Sequence, residues 1–261
     1  MEVRTDDGAV LFVDDRGPRT SSALVHVPPE PLGGEAWTRN VPVLAEGLRT
    51  IAVDPRAHGR SPATRHGHTI RRYAQDLHEV LRQLGVDSFV GVGWSLGVSV
   101  LWEYVAAYGT DALRGVVEVD QPPWRAVSDE ALRARIDRIH TDRRRHHEAV
   151  VRGYFGPEVE PDEDVVAWLV DECLKVPTEA HAALVAESYR ADYRPLLAAI
   201  DVPALVCWAE YGTIDATTAE TVAALHPDCR AVHFAGVGHL LPFLAPADLN
   251  QTVLAFARGV T

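Results

Sequence analysis

Short, almost uninterrupted apolar runs alternate with longer segments of helical periodicity, and this alternation limits the fold more than any other feature of the sequence. The runs at 9–14, 23–28, 50–54, 88–93, 115–120, 203–209 and 230–235 are mostly rich in Val, Leu, Ile and Phe. Most lack the polar alternation of half-exposed strands, as strands covered on both faces do. Between them, 35–47, 69–85, 96–109, 215–226 and 246–258 have helical periodicity. In 69–85, Ile70, Tyr73, Leu77, Val80, Leu81 and Leu84 fall on one stripe. Strand–helix alternation of this kind predicts a mostly parallel α/β sheet flanked by helices. The first two strands, joined through Asp14-Asp15-Arg16-Gly17-Pro18, are expected to form an antiparallel entry.

The alternation breaks between about 122 and 200, a charged and then amphipathic stretch with no convincing strand. Helices are expected near 128–152, 162–175 and 178–190, with Ser128, Asp162 and Thr178 as N-caps. Pro122-Pro123, Gly156-Pro157, Pro161 and Pro177 punctuate them. A helical insertion between two strands of a parallel sheet is expected to cap the strand C-terminal ends, where such sheets bind ligands. The chain therefore divides into a first core segment, 1–121, a helical cap, 122–200, and a second core segment, 201–261.

Gly93-Trp94-Ser95-Leu96-Gly97 follows the strand at 88–93 and opens the helix at 96–109. It matches G-x-S-x-G in the context the motif requires: a sharp strand-to-helix turn that lifts a serine hydroxyl above the sheet. The Leu96 N–H then lies at a helix N-terminus, where developing negative charge is stabilised.

From this motif onward the chain resembles the α/β-hydrolase superfamily, over essentially its whole length. Asp54-Pro55-Arg56-Ala57-His58-Gly59-Arg60-Ser61 looks like the superfamily's D-x-R-G-H-G-x-S loop, with Ala57 in place of the usual Gly. The resemblance makes that loop, and His58 with it, architectural. It makes Ser95 the nucleophile; an Asp there would have pointed to haloalkane or epoxide chemistry. A serine hydroxyl needs a neighbouring imidazole to take its proton. Of twelve histidines, His239, in Gly236-Val237-Gly238-His239, follows the last strand, where the order Ser…acid…His places the base. The pairs His66/His68 and His146/His147 sit in polar stretches and read as solvated faces, without a partner set at metal-ligand spacing.

The superfamily most often places the acid after the penultimate strand, in a pattern like W-G-x-x-D. Here that segment reads Trp208-Ala209-Glu210-Tyr211-Gly212-Thr213-Ile214-Asp215, and Gly212 occupies the expected Asp position. Asp215 reads better as a helix N-cap. One strand earlier, Gly115-Val116-Val117-Glu118-Val119-Asp120 ends a buried strand with a carboxylate at its C-terminal edge. In acid placement the chain resembles zearalenone-type lactone hydrolases and cofactor-free ring-cleaving dioxygenases. Asp120 is preferred as the acid over Asp215 and Glu210. Glu118 lies deeper on the same strand face and needs a partner that the sequence does not identify.

The resemblance also implies a second oxyanion donor in the loop after strand 23–28, usually H-G-x-P. Counted ungapped from His26, the donor would be Pro28, which has no N–H. Counted back from Trp37, Pro31 takes the motif proline's place and the Glu30 backbone N–H the donor's. Whether the Glu30 side chain faces solvent or the pocket, where its charge would oppose an oxyanion unless paired, is left open. Trp94, Trp124 and Trp168 are expected to line an apolar substrate pocket.

The expected activity is a serine hydrolase acting on a small, largely apolar carboxylic ester or lactone through Ser95, His239 and Asp120, with no metal or organic cofactor. The alternatives are a cofactor-independent dioxygenase using the His–Asp pair as base, and a non-catalytic ligand receptor. Composition narrows the partners. With 25 basic and 37 acidic residues the net charge is −12, which disfavours nucleic acid and other polyanions and leaves small neutral esters or lactones. Three cysteines without a C-x-x-C pair suit a reducing compartment. No signal-peptide pattern or 18-residue apolar run is evident, so a cytoplasmic location is expected; homodimerisation is left open.

Overall fold

The computed structural model describes residues 1–260; Thr261, the end of the second core segment, lies outside the described residues. Among them, eight strands form one sheet: β1 Glu2–Arg4, β2 Val10–Arg16, β3 Ser22–Val27, β4 Thr50–Val53, β5 Ser88–Trp94, β6 Leu113–Val119, β7 Ala204–Tyr211 and β8 Cys229–Gly238. Their spatial order is β1-β2-β4-β3-β5-β6-β7-β8. Pairings from β4 through β8 are parallel, while β1 and β2 enter antiparallel.

The antiparallel entry differs in its pairing from the expectation. β2 does not pair with β3; it pairs with β4, Val13 opposite Val53. The cause is polarity. β2 buries Leu11 and Val13 but carries Asp14, Asp15 and Arg16, whereas β3 is buried from Ala23 to Val27 and takes an interior position. β1, which the sequence reading missed, is a three-residue partner of β2, too short to show a period.

Eleven helices lie among the described residues: α1 Val41–Leu44, α2 Ile70–Gln83, α3 Leu96–Tyr108, α4 Asp129–Thr141, α5 Arg143–Gly153, α6 Glu163–Lys175, α7 Thr178–Arg190, α8 Arg194–Leu197, α9 Ala216–Leu225, α10 Leu241–Leu244 and α11 Pro246–Val260. The helix expected at 35–47 is only a 3₁₀ turn, Gly34–Trp37, and the single turn α1. Pro42 has no N–H to continue a ladder from 38, so α1 starts afresh with Pro42 in its first turn. The helix expected at 128–152 breaks at Asp142, whose side chain caps α5 by accepting from Arg145 N. Ser128 and Asp162 cap α4 and α6. Thr178 does not cap α7; Pro177 holds the N-cap position, with no side-chain bond.

Successive strand residues serve opposite faces, as the pleat requires. Val25, Ile51 and Phe89 pack with α2, α3 and α9. Leu24, Ala52 and Val90 pack with α1 and α11. Helices α4–α8 fill the chain between β6 and β7. A bridge between Trp124 and Asp192 and a Tyr193 N–H bond to the Pro123 carbonyl (2.8 Å) clip the two stems of this insertion together. Leu132, Ile139, Ala182 and Val185 give α4 and α7 a small core of their own.

Candidate active site

The sheet register places two left-handed residues side by side. Trp94 of β5 is opposite Val119 of β6, and the chain turns sharply at the next residue of each strand. Ser95 has φ +52° and Asp120 φ +51°. Ser95 N donates to the Val119 carbonyl and Asp120 N to the Cys207 carbonyl, both at 2.9 Å. Non-glycine residues rarely adopt this conformation, and it is concentrated where side-chain placement matters. The glycines flanking Ser95 do not supply the turn's dihedral; they supply space. A Cβ on Gly93 would lie 2.6 Å from Val98 N, and one on Gly97 2.2 Å from the Val27 carbonyl oxygen. Helix α3 can start directly over β3 and β5 only because both side chains are missing.

Asp120 is completely buried. Its Oδ2 lies 2.6 Å from His239 Nδ1 and accepts from Thr213 N at 2.7 Å. Thr213 Oγ1 donates to the Asp120 backbone carbonyl at 2.5 Å, and Ala209 N reaches Oδ1 at 3.4 Å. A buried carboxylate is tolerated when it is hydrogen-bonded in this way. Gly212 makes the arrangement possible. A Cβ there would lie 2.2 Å from Asp120 Oδ1 and 2.4 Å from Oδ2. The Asp120 carboxylate from β6 thus occupies the volume beside Gly212, the position where the resemblance led one to look for an acid.

His239 follows β8 and is 2% exposed. Trp94 Nε1 donates to its carbonyl at 3.0 Å, and the Tyr154 ring lies 4.4 Å from its imidazole. With Nδ1 engaged by Asp120, Nε2 is the ring nitrogen left for chemistry. Asp215 stands apart as an exposed N-cap of α9, accepting from Thr218 N at 2.7 Å, and exposed Glu210 accepts from Gly236 N at 2.7 Å. Glu118 is partly satisfied: its Oε1 accepts from Trp102 Nε1 at 2.7 Å and lies 3.2 Å from His226 Nε2, while Oε2 has no hydrogen-bond partner among the described residues.

Ser95, Leu96, Glu30, Trp94 and His239 line one cavity of about 70 Å³, roofed by residues of α4, α5 and α7. Glu30 lines this cavity, and its side chain is buried away from open solvent against His58, with Oε2 2.6 Å from His58 Nε2. Burial pulls the His58 pKa down, but the adjacent Glu30 charge and hydrogen bond more than reverse this and leave it above the ordinary imidazole value. In the segment Pro28-Pro29-Glu30-Pro31, only Glu30 has a backbone N–H.

Three expectations for the cap are corrected. Trp124 does not line the cavity; it lies at the insertion's stem under the Arg194 guanidinium. Trp168 packs on Phe243, their rings 5.7 Å apart, and faces a separate groove. Both fall where α/β stems and helices need aromatic packing. His146 and His147 are not solvated: they are 8% and 2% exposed, and with His181 they form a ring cluster on the cavity wall. Burial holds their pKa values down, to about 4, about 3 and about 2. Among the described residues, no group of three or more His, Cys, Asp or Glu side chains is placed to hold a metal ion, and no helix is long and apolar enough to cross a membrane.

The family model for the alpha/beta hydrolase family matches residues 24–252. The chain belongs to that family. Among its relatives is a bifunctional esterase/perhydrolase of Acinetobacter calcoaceticus, 27% identical, the match covering 98% of this chain and 99% of the relative. The solved bromoperoxidase of Bacillus anthracis is similar in fold, with a TM-score of 0.92 and 22% identity over 99% of this chain and all of that one. So is the enol-lactonase of Burkholderia xenovorans LB400, at 0.89 and 21% over 99% of this chain and 100% of that one. Within this alpha/beta hydrolase, the cavity wall contains residues that sequence reasoning missed: Arg125, Arg135, Tyr154 and His181. All lie in or beside the insertion, where no motif marks them. Thr213 was also missed, although its place next to Gly212 was a usable signal.

Proposed function

We propose that this alpha/beta hydrolase is a serine hydrolase that cleaves a small carboxylic ester or lactone using Ser95, His239 and Asp120. The observation that carries the reading is the 2.6 Å contact between His239 Nδ1 and the buried Asp120 carboxylate, on the cavity that Ser95 also lines. The relative described as an esterase/perhydrolase supports the reaction class.

In this mechanism His239 Nε2 takes the Ser95 hydroxyl proton as Oγ attacks the carbonyl carbon. Asp120 holds the Nδ1–H tautomer and stabilises the imidazolium without itself accepting the proton. The tetrahedral oxyanion is held by the backbone N–H groups of Leu96 and Glu30. Collapse breaks the ester C–O bond, and His239 gives its proton to the departing alkoxide. A water then attacks the acyl-Ser95 ester, losing its proton to His239. The carboxylic acid leaves and the Ser95 hydroxyl is restored. The Glu30 side-chain charge, which would oppose an oxyanion, is countered by His58. The chemistry calls for no cofactor.

The test is labelling with a serine-directed fluorophosphonate, followed by a panel of esters and lactones. Ser95→Ala is expected to abolish labelling and to lower kcat by about 10⁴–10⁶-fold. Unchanged turnover in that variant overturns the mechanism.

A further inference from the structure

Two arginines on the wall of the cavity have no use in the mechanism above. Arg125 and Arg135 both lie over the ring of Tyr189, at 4.9 and 5.2 Å from its centroid. Each has a buried Nε with no hydrogen-bond partner among the described residues. Arg125 Nη2 reaches only the neutral Gln121 Oε1, at 3.3 Å. Neither guanidinium is ion-paired among the described residues. Four other partly or fully buried arginines are paired with carboxylates: Arg49 with Asp15, Arg56 and Arg72 with Asp76, and Arg60 with Asp54, while Arg143 donates to the backbone carbonyls of Cys173 and Val176. Acidic residues outnumber basic ones by 37 to 25, so the open pair is not forced by a shortage of acids. Like charges against one ring, with N–H groups left open, are a local cost unless something else satisfies them.

The rest of the wall supports the same reading. Among the described residues the only carboxylate lining the cavity, Glu30, engages His58 through Oε2. His147 and His181 add buried ring nitrogens without partners. The Tyr154 hydroxyl is within reach of Arg135, while the Tyr154 ring packs on His239. One tyrosine side chain therefore separates the guanidinium from the imidazole. A planar fork of N–H donors matches a carboxylate bidentately. We propose that the substrate is an ester or lactone bearing a free carboxylate, which Arg125 and Arg135 bind while Ser95 attacks the carbonyl at its other end. This reading rests on the hydrolase assignment. It also revises the expectation of a neutral substrate drawn from the net charge of −12, because a charge inside a cavity acts at contact range while the distant surface charges are screened.

The experiment compares kcat/KM for the monoethyl and diethyl esters of succinic, adipic and suberic acids. The expected result is at least a tenfold preference for one or more half-esters over the matching diester. In Arg125→Met and Arg135→Met this ratio should fall to about one, and Arg135→Lys, which keeps the charge, should restore part of it. Equal or better turnover of the diesters by the unaltered protein, with turnover still dependent on Ser95, overturns this inference and leaves the hydrolase reading intact. If no ester is turned over, the hydrolase reading falls. Calorimetric binding of the half-esters to the Ser95→Ala protein then decides the arginine site by itself. Binding that is absent, or present and unchanged in the arginine variants, refutes the site.

Discussion

Replacing Gly212 by Ala should disable the site although Gly212 touches no substrate. The added Cβ would lie 2.2 Å from Asp120 Oδ1, about 1.2 Å short of the 3.4 Å at which ordinary contact begins. Gly212 does not have a positive φ, so the substitution acts through this contact and not through backbone strain. The surroundings cannot give way easily, because Asp120 is held by Thr213 N, Thr213 Oγ1 and Ala209 N and is completely buried. The carboxylate must retreat by about an ångström and lose its 2.6 Å contact with His239. Displacements of that size at a reacting constellation cost roughly 10²-fold, and removing the carboxylate function costs roughly 10⁴-fold. We expect Gly212→Ala to fall between these limits in kcat, with about 1–3 kcal/mol of overpacking. The converse experiment is sharper. Asp120→Ala should lose about 10⁴-fold. Adding Gly212→Asp to it returns a carboxyl group to the vacated volume and should recover part of the loss. The assay is kcat on a chromogenic ester, normalised to fluorophosphonate-reactive Ser95, with circular dichroism confirming the fold. Wild-type kcat in Gly212→Ala, or in Asp120→Asn, refutes the assignment of Asp120 as the acid.

Acid should loosen the cap before it titrates the carboxylates. Burial holds His26 at about 3, His146 at about 4, His147 at about 3 and His181 at about 2. Below about 6.5 the unfolded chain takes up protons that the folded one refuses, so stability falls as pH falls towards 4. At pH 5.5 each group costs about 1.4 kcal/mol. His58, held above the ordinary value against its burial by Glu30, opposes this trend. Tm measured from pH 7.5 to 4.5 should drop steeply, and His181→Leu should flatten the curve; a flat wild-type profile contradicts the reasoning. Trp102→Phe removes the 2.7 Å donor to Glu118 and should cost about 1–3 kcal/mol in urea unfolding. Arg56→Met strips Asp76 and Asp7 of a completely buried guanidinium and should cost about 3–5 kcal/mol; a loss under 1 kcal/mol would show that the two acids find other partners.

What the sequence disclosed depended on whether a physical signal was local. Most strand and helix periods and the elbow around Ser95 are local, and the structure places them near the expected positions, except for the helix at 35–47 and the break at Asp142; the contact of His239 with Asp120 joins two such local features. Gly212 in place of an acid was also legible, because a missing carboxylate is visible in one residue. The partners of β2 were not, since strand order depends on which run is buried on both faces. The cap was misread for a related reason. Trp124 and Trp168 occupy positions that pack helices and stems, and an aromatic residue in an amphipathic stretch carries no mark of what it faces. His146 and His147 lie in a charged run of α5 yet are buried, because helices α4 and α7 close over them. Residue type along one helix does not report what another helix covers.

In the proposed triad, the position of the acid follows from the needs of the imidazole and not from a fixed place in the chain. His239 needs a carboxylate at one point, 2.6 Å from Nδ1, and two neighbouring strand ends can deliver it. An acid from the end of β7 needs a side chain where Gly212 has none. An acid from the end of β6 needs a left-handed residue there, so that its carboxylate swings under β7, and Asp120 has φ +51°. The two solutions exclude each other sterically, since the Cβ of any side chain at 212 would overlap the Asp120 carboxylate. Asp120 and Gly212 are therefore a coupled pair, and substitutions at the two should be strongly non-additive. The same geometry explains why Asp120 can bear an unfavourable dihedral: Thr213, the residue after Gly212, donates both its N–H and its hydroxyl to Asp120 and anchors the turn.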